Sequence, residues 1–399
     1  MGGRTGRGTL ACLLGFALVA AACADDDTEA GGGGSGGGGF EEGTFTFAVN
    51  AELSGAIDGT PMERGVQAYA NEVNAEGGID GHEVEVVALD TAADQARAAA
   101  NTTQLVTSGD VTAIFGHLLS ANCTASTPIV ERAEIPMACL SVAEANPWVY
   151  NLGPDNSLAA DAFVAAGAEV AEPAGGEGPR MALAYSTTLT NEALAEDVPD
   201  AADAAGAELT ASEGIAPNAS DMSGPAAALV ESDPDVILVT TIGPAALIRA
   251  IRSAGFEGPV VGLEGSAGLN LYDDSDPNLY VMSVYRFPDP ESDDPVVQRY
   301  IESLSTVEED LGSFASYSNG EIVPVYLTAA AFGDALERCG YPCPGPDLQE
   351  HLDETSVDFG ELVPAFEYDG DDHYPYPNWF LYRVQPDAVE LVAELPQEG

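Results

Sequence analysis

Short apolar runs alternate with helix-length segments along most of this chain, and no other feature restricts its fold as strongly. Residues 44–49 alternate in strand fashion, and Val66, Tyr69, Ala70 and Val73 then fall at helical spacing on one face. Thr60 stands where the N-cap of that helix belongs, with Pro61 at the first helical position and Glu63 completing a capping box. Strands at 83–89, 111–115 and 135–139 follow, separated by helices at 94–106 and 121–133. The pattern restarts with helices at 158–170, 192–205, 222–231 and 245–254, and with strands at 181–185, near Leu209, at 236–240 and at 259–263. Residues 280–287 read as a strand, 288–295 as a Pro/Asp-rich joint, 322–338 as a long helix, and 364–368 and 379–384 as closing strands. Strands that alternate with helices of this length pair in parallel, because each crossover is long enough to return to the same edge. The predicted fold class is therefore α/β, with two doubly wound parallel-sheet lobes and a ligand cleft between them. Residues 43–154 and 288–360 are assigned to the N-terminal lobe, and 155–287 and 361–399 to the C-terminal lobe. Ligands of such sheets sit beyond the carboxyl ends of the strands, so the loops after Val49, Phe115, Cys139, Tyr185, Thr240 and Leu263 are the candidates.

The first 23 residues read as an export signal. Arg4 and Arg7 precede a 13-residue apolar run, residues 10–22, which is short for a membrane span and of the right length for a signal core. The run ends in Leu-Val-Ala-Ala-Ala-Cys, similar to a bacterial lipobox, with Ala20 where Leu is more usual and Cys23 as the lipidated residue. Residues 24–42 follow as an acidic, Gly-rich tether with a reach of roughly 20–25 Å for ~17 flexible residues. The expected location is extracytoplasmic, with the membrane touched through the lipid anchor.

Charge excludes several partners. The chain carries 66 acidic residues against 12 basic ones, all Arg, for a net charge of −54. Nucleic acid and anionic membrane surfaces are disfavoured by that balance, which suits a solvated surface in a salty exterior. With Cys12 removed and Cys23 lipidated, Cys123, Cys139, Cys339 and Cys343 remain to be oxidised in an exported protein. Four cysteines allow three pairings, and the sequence alone leaves them open; Cys339 with Cys343 and Cys123 with Cys139 is the preferred set. The four histidines are scattered without ligand spacing, so no metal is called for. Residues 369–372 are acidic but lack the twelve-residue calcium-loop pattern.

Residues 111–123 combine a buried strand, a break at Gly116 and the opening of a helix. Unpaired N–H groups at a helix start attract anions, and Ser120 adds a hydroxyl there. Ser120 is thus a candidate for holding the carboxylate of a small ligand, or alternatively a plain N-cap.

Three further stretches give the chain a family likeness. Val73-Asn74-Ala75-Glu76-Gly77-Gly78-Ile79-Asp80-Gly81, Ile114-Phe115-Gly116-His117-Leu118-Leu119-Ser120 and Gly262-Leu263-Glu264-Gly265-Ser266-Ala267 occur in one order and spacing. In these residues the chain resembles the type I periplasmic binding proteins of branched-chain amino acid ABC transporters, the leucine/isoleucine/valine-binding proteins, over about residues 44–390. The resemblance implies a substrate-binding protein that closes its lobes on a ligand and delivers it to permease subunits, with no cofactor. It assigns the ligand carboxylate to Ser120 and to the loop holding Ser141 and Ala143, and the α-ammonium to Glu264. Ala143 stands where the family offers a Thr hydroxyl, which Ser141 would replace. The family's aromatic pocket walls are replaced near Thr60, Leu189-Thr190 and Ile242, so the ligand need not be leucine. Tyr185, Trp148 and Tyr317 are candidates for new walls, although buried aromatics are more often core. The family's cysteine beside the Ser is Leu119 here, so its usual disulfide is absent.

Other classes fit less well. A hydrolase using Ser120 with His117 and Glu264 lacks a nucleophile motif, since the lone Gly-x-Ser-x-Gly match is Ser35 in the tether. Phosphate-binding loops and dinucleotide fingerprints are absent from the sequence. A receptor for amides, urea or aromatic acids, or a ligand sensor, shares the predicted fold.

Overall fold

The computed structural model describes residues 40–396, apart from 56, 141–145, 154–157, 174–177, 242, 264–275, 310, 312–316, 318–320, 369–372 and 387. Residues 39–399 form one compact unit. Its first sheet is built from β1 (Thr44–Ala51), β2 (Glu83–Asp90), β3 (Ala113–Phe115), β4 (Met137–Cys139) and β5 (Val149–Asn151), in the order β2-β1-β3-β4-β5. Every pair in it is parallel, with Ala48 opposite Val87 on one side and Ile114 on the other. The crossovers are α1 (Thr60–Ala75), α2 (Gln95–Ser108) and α3 (Ser120–Ala133). β1 is buried along nearly its whole length, as a central parallel strand must be when helices cover both faces.

Helix starts follow local chemistry, with one correction. Asp94 caps α2 by accepting the Arg97 N–H at 2.7 Å, and Gly109 in the left-handed region ends it. At α1 the expected Thr60 cap does not form. Gly59 is the N-cap, and the Thr60 hydroxyl instead donates to Asp58 Oδ1 at 2.7 Å. The Thr60 hydroxyl is thus committed to Asp58, while Gly59 packs closely on the Glu52 backbone, where a Cβ would lie 3.0 Å from the Glu52 carbonyl oxygen.

After α4 (Ala160–Val170) the chain builds a second sheet from β6 (Arg180–Ser186), β7 (Glu208–Ile215), β8 (Val236–Thr240), β9 (Val260–Leu263) and β10 (Leu279–Ser283). The linking helices are α5 (Leu189–Ala205), α6 (Ser223–Glu231) and α7 (Pro244–Ser253). Then α8 (Pro295–Leu304), α9 (Ile322–Cys339) and α10 (Gly345–Leu352) follow; α8 and α9 pack on α1, and α10 packs on α9. The hairpin β11 (Ser356–Phe359) and β12 (Val363–Glu367) forms a separate two-stranded sheet. β13 (Asn378–Gln385) and β14 (Ala388–Pro396) return to the second sheet antiparallel, giving β14-β13-β10-β9-β8-β6-β7. β5, β11 and β14 were not foreseen: the first is three residues long, and the half-exposed charged positions of β14 hide its alternation.

Both disulfides of the preferred set form, Cys123–Cys139 and Cys339–Cys343. The first ties the opening turn of α3 to the last residue of β4. Around it lies a small apolar cluster of Ala48, Ile114, Val130, Met137 and Val149, against which Trp148 packs. Trp148 thus packs on this cluster with part of its surface exposed. Among the described residues no helix is long and apolar enough to cross a membrane, and no His/Cys/Asp/Glu group could hold a metal ion.

Candidate functional site

The carboxyl edge of the first sheet is where polar chemistry gathers. β1 ends at Ala51, and Glu52 follows it with no exposed surface. β3 lies beside β1, and Gly116 just beyond it runs so close that a Cβ would sit 2.1 Å from the Asn50 carbonyl oxygen. This approach brings the turn into α3 over the end of β1. Glu52 Oε2 accepts the Leu118 N–H at 3.0 Å and Oε1 accepts the Asn122 side-chain amide at 2.6 Å. Burial raises the Glu52 carboxyl above its ordinary range, and these two hydrogen bonds oppose the rise without cancelling it. Glu321, at the N-cap of α9, is likewise buried and pushed up to about 8, first by burial and then by the charges of Asp58 and Glu52.

His117 belongs to a deeper layer of the same edge. It is fully buried, its Nε2 shares a 3.0 Å hydrogen bond with Ser126 Oγ, and burial lowers it to about 3, so it is neutral. Ser126 in turn receives the Thr102 hydroxyl at 2.8 Å, and Asn50 donates its amide to Thr102 Oγ1 at 3.0 Å. Asn101 donates to Asn50 Oδ1 at 3.0 Å, closing a chain that fixes α2 and α3 to the end of β1. His117 thus partners Ser126 and not Ser120, which removes the geometry a serine hydrolase would need.

Ser120 is the first residue of α3 and is partly exposed. It is not the N-cap: Leu119 takes that position, without a side-chain hydrogen bond. Ser120 lies two residues from Leu118 and two from Asn122, on the turn that Glu52 already holds. Ser141 and Ala143, in the loop after β4, lie outside the described residues, as do Ile242 and Glu264.

At the carboxyl edge of the second sheet, the hydrogen bonds at the end of β8 join uncharged groups. Asn191 in the first turn of α5 donates to the Thr240 carbonyl at 3.2 Å and accepts the Thr240 hydroxyl at 3.1 Å. That exchange ties α5 to the end of β8. Thr241 is buried and its hydroxyl has no hydrogen-bond partner. Leu189 opens α5 and is 58% exposed, unusual for a leucine and consistent with a surface position. Tyr185, on β6, is half-buried and lies against Gly214 of β7. Tyr317 accepts the Tyr300 hydroxyl at its carbonyl, 3.0 Å away.

Four residues of this edge were passed over in the sequence: Glu52, Asn122, Glu321 and Ser126. A charged residue directly after an apolar strand was the available signal for Glu52. Asn122 and Ser126 were hidden in a segment whose small polar residues look like a solvated helix face. Glu321 follows a polar stretch and gives no sequence signal.

Comparison with known proteins bears on the whole chain. A model of one protein family, described as periplasmic binding protein, matches residues 46–388. The Leu/Ile/Val-binding protein of Citrobacter freundii is 26% identical over 238 residues, 57% of this chain and 64% of that protein, just under two thirds of its length. Among solved structures, a branched-chain amino acid transporter substrate-binding protein from Streptococcus pneumoniae, in complex with isoleucine, aligns with a TM-score of 0.69 at 18% identity. That alignment covers 88% of this chain and 99% of the other. A solute-binding protein from R. palustris in complex with 4-hydroxybenzoate aligns with a TM-score of 0.72 at 16% identity, covering 88% and 96%. At these identities the structural likeness shows the fold: parallel α/β sheets arranged as in these proteins.

Proposed function

Because the chain belongs to the periplasmic binding protein family, we propose that it is the extracytoplasmic substrate-binding subunit of an ABC importer, capturing an amino acid or similar small zwitterion. The observation that carries this reading is the match of a single family model across residues 46–388, which takes in strands of both sheets. Residues 43–154 with 288–360, and 155–287 with 361–399, are the two lobes that close on the ligand. A ligand bridging them stabilises the closed form, and that form docks on the permease subunits. Cys23 carries the lipid anchor, and residues 24–42 are the tether that lets the body reach the permease. The name of the Citrobacter relative supports an amino acid as ligand.

Glu264 is proposed to hold the ligand ammonium, Ser120 with the loop of Ser141 and Ala143 to hold its carboxylate, and Leu189 and Ile242 to lie beside its side chain. A thermal-shift screen over amino acids, amines, amides and small acids tests the function directly. A ligand at 100 times its Kd adds about 2.7 kcal/mol to stability, which a melting curve resolves. A shift with an amino acid supports the reading, a shift with benzoates alone transfers it to aromatic acids, and no shift with any small molecule defeats it. Glu264→Ala should weaken an amino acid more than its deaminated analogue; equal losses remove the ammonium assignment.

A further inference from the structure

The two disulfides sit in different surroundings. Cys123 and Cys139 are buried, at 1% and 0% exposure, whereas Cys339 and Cys343 are both partly exposed. Cys343 also lines a cavity of about 580 Å³ with Thr44, Thr46, Asp110 and Pro344, at the amino edge of the first sheet and so at the end away from the carboxyl edge. Cys339 ends α9, and its bond to Cys343 closes the loop 339–343, which carries Tyr341. The Tyr341 ring stacks on His82 with 4.0 Å between centroids and meets Phe45 edge-on at 5.2 Å. It lies so close to Gly43 that no Cβ would fit there. His82 is itself buried, with Nε2 3.8 Å from a Glu41 carboxylate oxygen, and the Glu41 N–H donates to the Gly81 carbonyl at 2.8 Å. Residues 40–43, which lead into β1, are thus held against the 79–82 turn with Tyr341 packed over them.

We propose that the Cys339–Cys343 disulfide is a redox-sensitive latch: closed, it lets Tyr341 pin residues 40–43 to the body, and its reduction releases them. A short closed loop holds its side chains in place because few conformations remain open to it, and an accessible disulfide is the one that thiols reach. The step is thiol–disulfide exchange with an external dithiol. One thiolate of the dithiol attacks Cys343 Sγ, the bond to Cys339 breaks, and a mixed disulfide forms at Cys343. The second thiolate then displaces Cys343, so the reductant leaves as a cyclic disulfide and the cysteines, having gained two electrons and two protons, become thiols. Glu85 and Asp110 line the cavity and no basic residue lining it offsets them, so an uncharged dithiol enters more readily than an anionic thiol. Release lengthens the flexible stretch before β1 and uncovers His82 and Phe45. The latch goes beyond the binding function proposed above and does not depend on the identity of the ligand.

Dithiothreitol under native conditions, followed by iodoacetamide and peptide mapping of the full chain, reads which cysteines open. The expected result is labelling of Cys339 and Cys343 with Cys123 and Cys139 unlabelled; labelling of all four alike, or of none, overturns the proposal. Hydrogen exchange and digestion with a glutamate-specific protease then report on residues 40–43. On reduction, exchange at the Glu41 amide and cleavage after Glu41 and Glu42 should each rise at least about tenfold, with exchange at Ala48 in β1 unchanged. Joint replacement Cys339→Ser and Cys343→Ser should show the same rise without reductant, and Tyr341→Ala should show it with the disulfide intact. Protection that survives reduction, or a Glu41 amide that already exchanges freely in the oxidised chain, overturns the latch. A rise at Ala48 equal to that at Glu41 also overturns it, because the disulfide would then support the whole sheet. Reduction of the native chain and Tyr341→Ala decide the matter even if the double serine variant fails to fold.

Discussion

The end of β1 in the first sheet and the end of β8 in the second occupy the same topological place, the carboxyl edge of parallel strands, with different chemistry. At the first sheet, Glu52 and Glu321 are buried carboxyls above their ordinary range, and Glu52 is clamped by a helix start. At the second, Asn191 and Thr240 exchange two neutral hydrogen bonds and Thr241 adds a buried hydroxyl. Both edges fix the first turn of the next helix to the end of a strand. One does so with a charge-bearing group whose state depends on pH, the other with an amide whose state does not. The same mechanical task is therefore solved once in a way that responds to its surroundings and once in a way that does not.

The largest effect expected on this contrast comes from Glu52→Leu. It leaves the Leu118 N–H and the Asn122 amide unpaired in the interior, which should cost about 2–4 kcal/mol in urea unfolding. A loss under about 1 kcal/mol would mean that water or a rearranged turn replaces Glu52. Next is the pH dependence. The folded Glu321 carboxyl, raised to about 8 from 4.5, binds a proton more readily than the unfolded chain does. Its contribution is present in full below pH 4.5 and is lost as pH rises through about 8. His117, lowered to about 3 from 6.5, works the other way, stabilising above pH 6.5 and losing that contribution as pH falls toward 3. Between pH 6.5 and 8 the Glu321 slope thus stands alone of the two, at up to about 1.4 kcal/mol per pH unit, and Glu321→Gln should flatten it.

Smaller still, Asn191→Ala should cost about 1–2 kcal/mol with the same value at pH 6.5 and pH 8, because nothing in its pair with Thr240 titrates. A pH-dependent loss there would erase the distinction between the two edges. Ser120→Ala should change stability by less than about 0.5 kcal/mol, since the residue is partly exposed and caps nothing. Any larger effect of that substitution should appear in ligand affinity alone.

Much of the architecture was legible because it is local. Apolar runs with Gly, Pro and Asp punctuation place β1 through β4 and α1 through α7 to within a few residues, since strand and helix periods are properties of short segments. Ser120 was also placed at a helix start by pattern alone, whereas α5 opens at Leu189, three residues before the expected start at 192. The site was less legible. Glu52 was missed as a partner of the turn before Ser120 because it lies 66 residues away from the Leu118 N–H that it accepts. The Thr60 cap was misplaced because its hydroxyl turns back to Asp58 instead of forward into α1.

By itself, then, the sequence determined the alternation of strands and helices, the acidic balance and the likeness to one family, all of which depend on neighbours in the chain or on composition. Tertiary structure alone decided which side chains share an edge. The strand order β2-β1-β3-β4-β5 sets β1 against β3, and with it Glu52 against α3 and His117 against Ser126. Burial then altered the character of those groups, raising two carboxyls and lowering one imidazole. Desolvation and long-range pairing are consequences of the folded arrangement in space, and no local pattern encodes them.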